Sequence, residues 1–102
     1  MKAKITATAR YLPERTLTNA DLEKMVETTD EWIRSRTGIE NRHLVGEGEA
    51  TSDMGAAITK QLLERSGKAA ADIDLILVAT STPDFQVVSS AALVQDKVGK
   101  RT

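Results

Sequence analysis

The stretch DIDLILVATS, Asp72 to Ser81, places Ile73 and then Leu75 through Ala79 in a nearly unbroken apolar run of strand length. Such a run is expected of a strand covered on both faces inside an α/β layer structure, whereas a half-exposed strand alternates apolar with polar. Upstream, Met54, Ile58 and Leu62, joined by Ala57 and Leu63, form a stripe at helical spacing. A helix is therefore predicted from a cap at Thr51 or Ser52 to a stop at Gly67. Downstream, TSTPDFQVVSSAALVQ leaves the carboxyl end of the strand and leads into a last helix from Ser89 to Val98, stopped by Gly99. The carboxyl edge of the strands is where open α/β sheets place ligands.

Toward the amino terminus, in KAKITATARYL, Ile5, Ala7, Ala9 and Tyr11 alternate with Lys4, Thr6, Thr8 and Arg10, the period of a strand with unlike faces, ended by Pro13. Thr18 with Asp21 has the spacing of a capping box, and Leu17 with Leu22 that of a hydrophobic staple, so a short helix is predicted from there to Val26. A second short helix begins at Thr29. After Gly38, IENRHLV reads as a short strand before the polar loop GEGEAT. Strand, helices, strand, helix, two-sided strand, helix is the order of an α/β fold with right-handed crossovers. Three strands barely supply neighbours for a buried central one, and Lys100-Arg101-Thr102 reads as the lead-in to another element. The expectation is the amino-terminal part of something longer, with an incomplete sheet.

The 102 residues, 40% of them hydrophobic, suffice for one modest core and one domain at most. Fourteen basic residues against 15 acidic ones give a net charge of −1, and the basic residues are dispersed, which leaves no nucleic-acid footprint. No apolar run is long enough to span a bilayer, and MKAKITATAR lacks the apolar middle and cleavage site of a signal peptide, so no membrane partner and a cytoplasmic location are expected. Cysteine is absent, so the chain by itself offers no disulfide, thiolate metal site or cysteine nucleophile. His43 stands beside Arg42 with no second ligand nearby and reads as a surface or packing residue. Ser52 and Asp53 read as helix-start residues, Asp72 and Asp74 as strand flanks, and Asp84 as part of a turn. No catalytic residue and no metal ligand is assigned.

TTDEWIRSRTGI, Thr28 to Ile39, carries the chain's only tryptophan between acids and arginines. Residues 28, 32 and 36 are four apart, each rotated about 40° from the last in a helix, so Thr28, Trp32 and Arg36 can share one stripe. An indole face can stack on a purine, a guanidinium can bond phosphate oxygens, and a hydroxyl can bond a base edge. The residues alone favour structural explanations over a ligand-binding one. Thr28 with Glu31 matches a capping box, Trp32 beside Ile33 can anchor a core, and Arg36 suits the carboxyl end of a helix dipole. Asp30 and Arg34 form an i,i+4 pair.

Taken together, YLPERTLTNADLEKMVETTDEWIRSRTGI, TSD opening a helix, and DIDLILVATSTPD resemble the amino-terminal third of the β-ketoacyl-[acyl-carrier-protein] synthase III family, in that family's order and spacing. The resemblance covers essentially the whole chain, residues 1–102. It implies part of a thiolase-like layered α-β-α-β-α fold, a homodimer, and no tightly bound cofactor. It also implies a reaction: an acyl starter passes from coenzyme A to a cysteine and is then condensed, with decarboxylation, with malonyl-acyl-carrier protein to initiate fatty-acid synthesis. By resemblance, Thr28 and Trp32 meet the adenine of coenzyme A, Arg36 its phosphates, and Thr37 the phosphopantetheine arm. Phe85 and Val87 fall in a segment that supplies dimer contacts and the wall of the partner's acyl pocket. Val87 stands where phenylalanine is frequent and Val88 where proline is common, so a larger or branched starter is expected. Ala7, Ala9 and Arg10 replace a glycine-rich pattern. The family's nucleophilic cysteine lies beyond the last residue here, as do its histidine and asparagine, so the chain alone is expected to be inactive. Two alternatives stand beside this reading: a related thiolase-fold synthase of secondary metabolism, and a noncatalytic module binding coenzyme A or a partner.

Overall fold

A computed structural model describes residues 2–99. Its elements in order are β1 (Arg15–Thr18), α1 (Asn19–Glu23), α2 (Asp30–Thr37), β2 (Asn41–Leu44), α3 (Thr51–Ser66), a 3-10 turn (Ala70–Asp72) and α4 (Ser90–Lys97). The mixed α/β class expected from the sequence is present, with an open sheet of two strands. The chain divides into two compact units, Leu12–Glu47 and one built from the segments on either side of it.

In the unit Leu12–Glu47, β1 and β2 pair antiparallel, with Arg15 opposite Leu44 and Thr18 opposite Asn41. The Thr18 side chain then caps α1. Its Oγ1 accepts the Asp21 amide at 3.1 Å and the Asp21 carboxylate accepts the Thr18 amide at 3.0 Å, the reciprocal box read from the sequence. The hydrogen bonds from the Thr18 amide and hydroxyl hold the Asp21 carboxyl below the usual carboxylate range. Asn19, 2% exposed, is the hub of this unit. Its Nδ2 donates to Asp30 Oδ1 and to the Ile39 carbonyl, both at 2.8 Å, while its Oδ1 accepts Arg42 Nη2 at 3.0 Å. One amide thus binds the start of α2, the turn after it, and β2. Helix α1 stops at Glu23, short of the Val26 predicted, and the chain continues in a turn.

In the other unit, α3 packs on α4 where Gly55 meets Val94, a fully buried side chain, beside buried Ala56. A Cβ on Gly55 would stand 2.8 Å from Val94 Cγ2, so the absence of a side chain permits this approach. Gly67, at φ 68°, ends α3 in the left-handed conformation as predicted, and α4 runs from Ser90 to Lys97 within the predicted span, with Ser89 as its cap.

Three sequence expectations are corrected. The residue capping α3 is Ala50, which has no side-chain oxygen to offer, rather than Thr51 or Ser52. The amino-terminal strand of the sheet is β1, beyond Pro13, while residues 4–11 form no ladder. A strand exists only with a neighbour's backbone to bond, and here two carbonyls of that segment are taken by α3 side chains: Thr8 by Arg65 Nη1 at 2.6 Å and Arg10 by Gln61 Nε2 at 3.2 Å. Residues 73–79 likewise carry no ladder among the described residues, and they are not covered on both faces, since Leu77 is 84% exposed. The predicted lead-in at residues 100–102 lies outside the described residues.

Candidate functional site

Helix α2 begins at a threonine cap, but the cap is Thr29, whose Oγ1 accepts the Trp32 amide at 3.1 Å. Thr28 precedes the helix and forms no capping box with Glu31, so its hydroxyl is not committed to the helix end. The shared helical stripe therefore holds for Trp32 and Arg36 only. Thr28 nevertheless reaches the same place by another route. With Glu27, Thr29 and Trp32 it lines an open hollow of about 270 Å³.

Trp32 is 55% exposed, which rules out the core-anchor reading; Ile33 next to it is the residue α2 buries. The Arg36 guanidinium carbon sits 5.5 Å from the indole centroid, a cation–π contact worth about 0.5–1 kcal/mol at an exposed site. An attraction that small can be exchanged for a better anionic partner. Asp30 and Arg34 form the predicted i,i+4 ion pair at 2.9 Å. Its interaction with Asp30 engages Arg34 and leaves Arg36 as the guanidinium beside the ring.

The Thr37 hydroxyl stitches the end of α2. It donates to the Ile33 carbonyl at 2.7 Å and accepts the Ile39 amide at 3.1 Å, across Gly38 in the left-handed region at φ 71°. One lone pair on that oxygen remains for a further donor. Phe85 and Val87 belong to the other unit and are 60% and 95% exposed. His43 Nδ1 lies 2.6 Å from the Pro13 carbonyl, a packing role as read from the sequence.

A second polar assembly was not foreseen. The Asp84 carboxylate accepts both the Ser52 amide at 2.8 Å and the Ser52 hydroxyl at 2.6 Å, although 32 residues separate them. Lys97 donates to the same Ser52 Oγ at 2.5 Å and to Asp53 at 2.7 Å. The Ser52 hydroxyl holds the Asp84 carboxyl below the usual carboxylate range, and the Lys97 bond does the same for Asp53. The TPD turn and the TSD helix start were the only traces of this assembly in the sequence. Among the described residues no group of His, Asp or Glu side chains has the arrangement of a metal site, and no helix is long and apolar enough to cross a membrane.

The chain is 54% identical over 97 residues, 95% of its length, to a β-ketoacyl-[acyl-carrier-protein] synthase III of Thiobacillus denitrificans. The chain is homologous to β-ketoacyl-[acyl-carrier-protein] synthases III. It superposes on the crystal structure of the 3-oxoacyl-[acyl-carrier-protein] synthase III of Aquifex aeolicus with a TM-score of 0.87 and 42% identity, over 96% of this chain and 32% of that one. A priming β-ketosynthase of a polyketide biosynthetic pathway matches with a TM-score of 0.85 and 29% identity, over 95% of this chain and 29% of that one. The fold is thus part of the thiolase-like fold of these condensing enzymes. The chain spans about 30% of the length of the curated relatives it matches. No protein-family model matches it.

Proposed function

We propose that this chain forms part of the coenzyme A entrance, and part of the dimer surface, of a β-ketoacyl-acyl-carrier-protein synthase III. The reaction is decarboxylative condensation of an acyl-coenzyme A starter with malonyl-acyl-carrier protein, initiating fatty-acid synthesis in the cytoplasm. Residues 1–102 are then one part of a single condensing domain. The observation that carries the reading is the exposed indole of Trp32, with the Arg36 guanidinium 5.5 Å above it and an open hollow reaching Thr28 beside it. A flat aromatic face and a cation within a few ångströms match the two ends of a nucleotide, a flat base and a phosphate.

In this proposal the adenine stacks on Trp32 and the Thr28 hydroxyl bonds the base edge. Arg36 moves from the ring to the phosphates, and the free lone pair of Thr37 accepts from the phosphopantetheine arm. Coenzyme A is a passing substrate, and no tightly bound cofactor is required. The chain has no cysteine, so the thiolate that receives the acyl group is supplied from outside these 102 residues, and the chain alone does not condense.

The polyketide-type reading has one specific observation in its favour, the match to the polyketide priming β-ketosynthase at a TM-score of 0.85. The lower identity to the polyketide priming enzyme than to the synthase of Aquifex aeolicus weighs against it.

The test is calorimetric titration of coenzyme A into the parent protein, Trp32→Ala and Arg36→Ala. Loss of the stacking contact and its covered area is expected to cost about 1–3 kcal/mol, roughly 5- to 150-fold in Kd. Arg36→Ala is expected to weaken binding and to flatten its salt dependence. Equal affinity in Trp32→Ala and parent would overturn the proposal.

A further inference from the structure

The segment that carries Phe85 and Val87 is fastened at two ends and, within this chain, exposed between them. At its start, the Thr51 hydroxyl donates to the Thr82 carbonyl at 2.5 Å, and Asp84 is bonded twice to Ser52. At its end, Ser89 caps α4 through the Ala92 amide. Phe85, Gln86, Val87 and Val88 between these anchors are all exposed.

The anchor at Asp84 has a fixed sense. Lysine can only donate and an ionised carboxylate can only accept, so the fully buried Ser52 hydroxyl must accept from Lys97 and donate to Asp84. Helix α3 also needs this arrangement, because Ala50 at its cap position has no side-chain acceptor for the free amides of the first turn. Asp84 accepts one of those amides, from Ser52, and its negative charge lies at the favourable end of the helix dipole. The cap of α3 and the anchor of the loop are therefore one set of bonds, and the loop cannot leave without uncapping the helix.

We infer that Asp84 is a positioning residue: its paired bonds to Ser52, backed by Lys97, set the place of residues 85–88 and thereby the acyl-chain selectivity of the condensing reaction. The inference rests on the reading of Val87 as part of an acyl-pocket wall. It goes beyond that reading by assigning the wall's placement to a side chain outside residues 85–88, bonded to the start of α3. Without the Asp84 anchor the unfastened span begins after Thr82, and a wall held less firmly discriminates less between acyl groups.

The test uses the complete enzyme with Asp84→Ala, and with Asp84→Asn as the variant that keeps an acceptor for the Ser52 amide. Three quantities are read: chymotryptic cleavage after Phe85 relative to cleavage after Tyr11, the ratio of kcat/KM for acetyl and branched acyl-coenzyme A, and coenzyme A affinity. In Asp84→Ala, cleavage after Phe85 is expected to rise about tenfold with cleavage after Tyr11 unchanged. The selectivity ratio is expected to move toward unity by about fivefold, at constant coenzyme A affinity, with partial recovery in Asp84→Asn. Unchanged cleavage after Phe85 in both variants would overturn the anchor. Faster cleavage with an unchanged selectivity ratio would overturn both the inference and the acyl-wall reading of Val87. Neither outcome bears on the coenzyme A proposal, whose own measurement is the affinity of Trp32→Ala.

Discussion

Replacing Asn19 by alanine removes three hydrogen bonds at one buried point. One goes to a neutral carbonyl, Ile39, and two to charged partners, Asp30 and Arg42. At about 1 kcal/mol for the first and about 1.5–3 kcal/mol for each of the others, the sum would be about 4–7 kcal/mol if every partner were stranded. Not all of them are. The Asp30 side chain is 41% exposed and keeps its ion pair with Arg34, so water replaces much of what it loses. Arg42 is worse placed, because its Nη1 is already buried without a partner among the described residues, and Nη2 would join it. The net loss is expected to be about 3 kcal/mol. Urea unfolding followed by circular dichroism reads it directly. With a slope of about 1–1.5 kcal/mol/M for a chain of this size, the midpoint falls by about 2–3 M. A loss below about 1 kcal/mol would refute the claim that one amide joins α1, α2 and β2.

Gly55→Ala adds helix propensity worth about 1 kcal/mol, but its Cβ would lie 2.8 Å from Val94 Cγ2, and overpacking of that kind costs about 1–3 kcal/mol. The variant is expected to be less stable, and Val94→Ala is expected to cost less in the Gly55→Ala background than alone; a double-mutant cycle by urea unfolding decides it. Asp21, Asp53 and Asp84 all have carboxyl pKa values depressed below 3.8 in the fold. Their stabilising contribution is fully present above the unfolded value and is lost as pH falls through the lower folded values. The urea midpoint is therefore expected to hold near neutrality and to drop below pH 3.8, less steeply in the Asp53→Asn/Asp84→Asn double variant. An acid limb of equal steepness in that variant would contradict the assignment.

The features legible in the sequence are those that neighbouring residues settle among themselves. Thr18 and Asp21 are three apart and need nothing else to form their box, and Gly67 stops α3 because it alone tolerates the left-handed turn there. The α3 stripe and the brief β2 were visible for the same reason. Where pairing decides, the sequence was silent. RTLT of β1 is too short to show a period, and its partner β2 lies more than 20 residues on. The apolar run at 73–79 shows only that the segment suits a sheet, since no residue in it can name its neighbour.

The candidate site divides in the same way. Trp32 and Arg36 were legible because four-residue spacing in a helix brings them together. The choice of cap between Thr28 and Thr29 was not, because two adjacent threonines offer the same chemistry and the packing around Asn19 and Asp30 selects the register. Asp84 was missed for a third reason. Its partners are 32 residues away, at a helix start whose own cap position is an alanine, and no local pattern announces such a bond.

Trp32 is the only tryptophan of residues 1–102, and its half-exposed ring is the surface on which adenine is proposed to lie, so the part of the complete enzyme's emission that is lost in Trp32→Phe reports the proposed contact itself. Titration with coenzyme A is predicted to quench Trp32 emission saturably, with the same Kd as calorimetry and a weaker Kd in Arg36→Ala. Coenzyme A binding by calorimetry with no change in Trp32 emission would contradict the account.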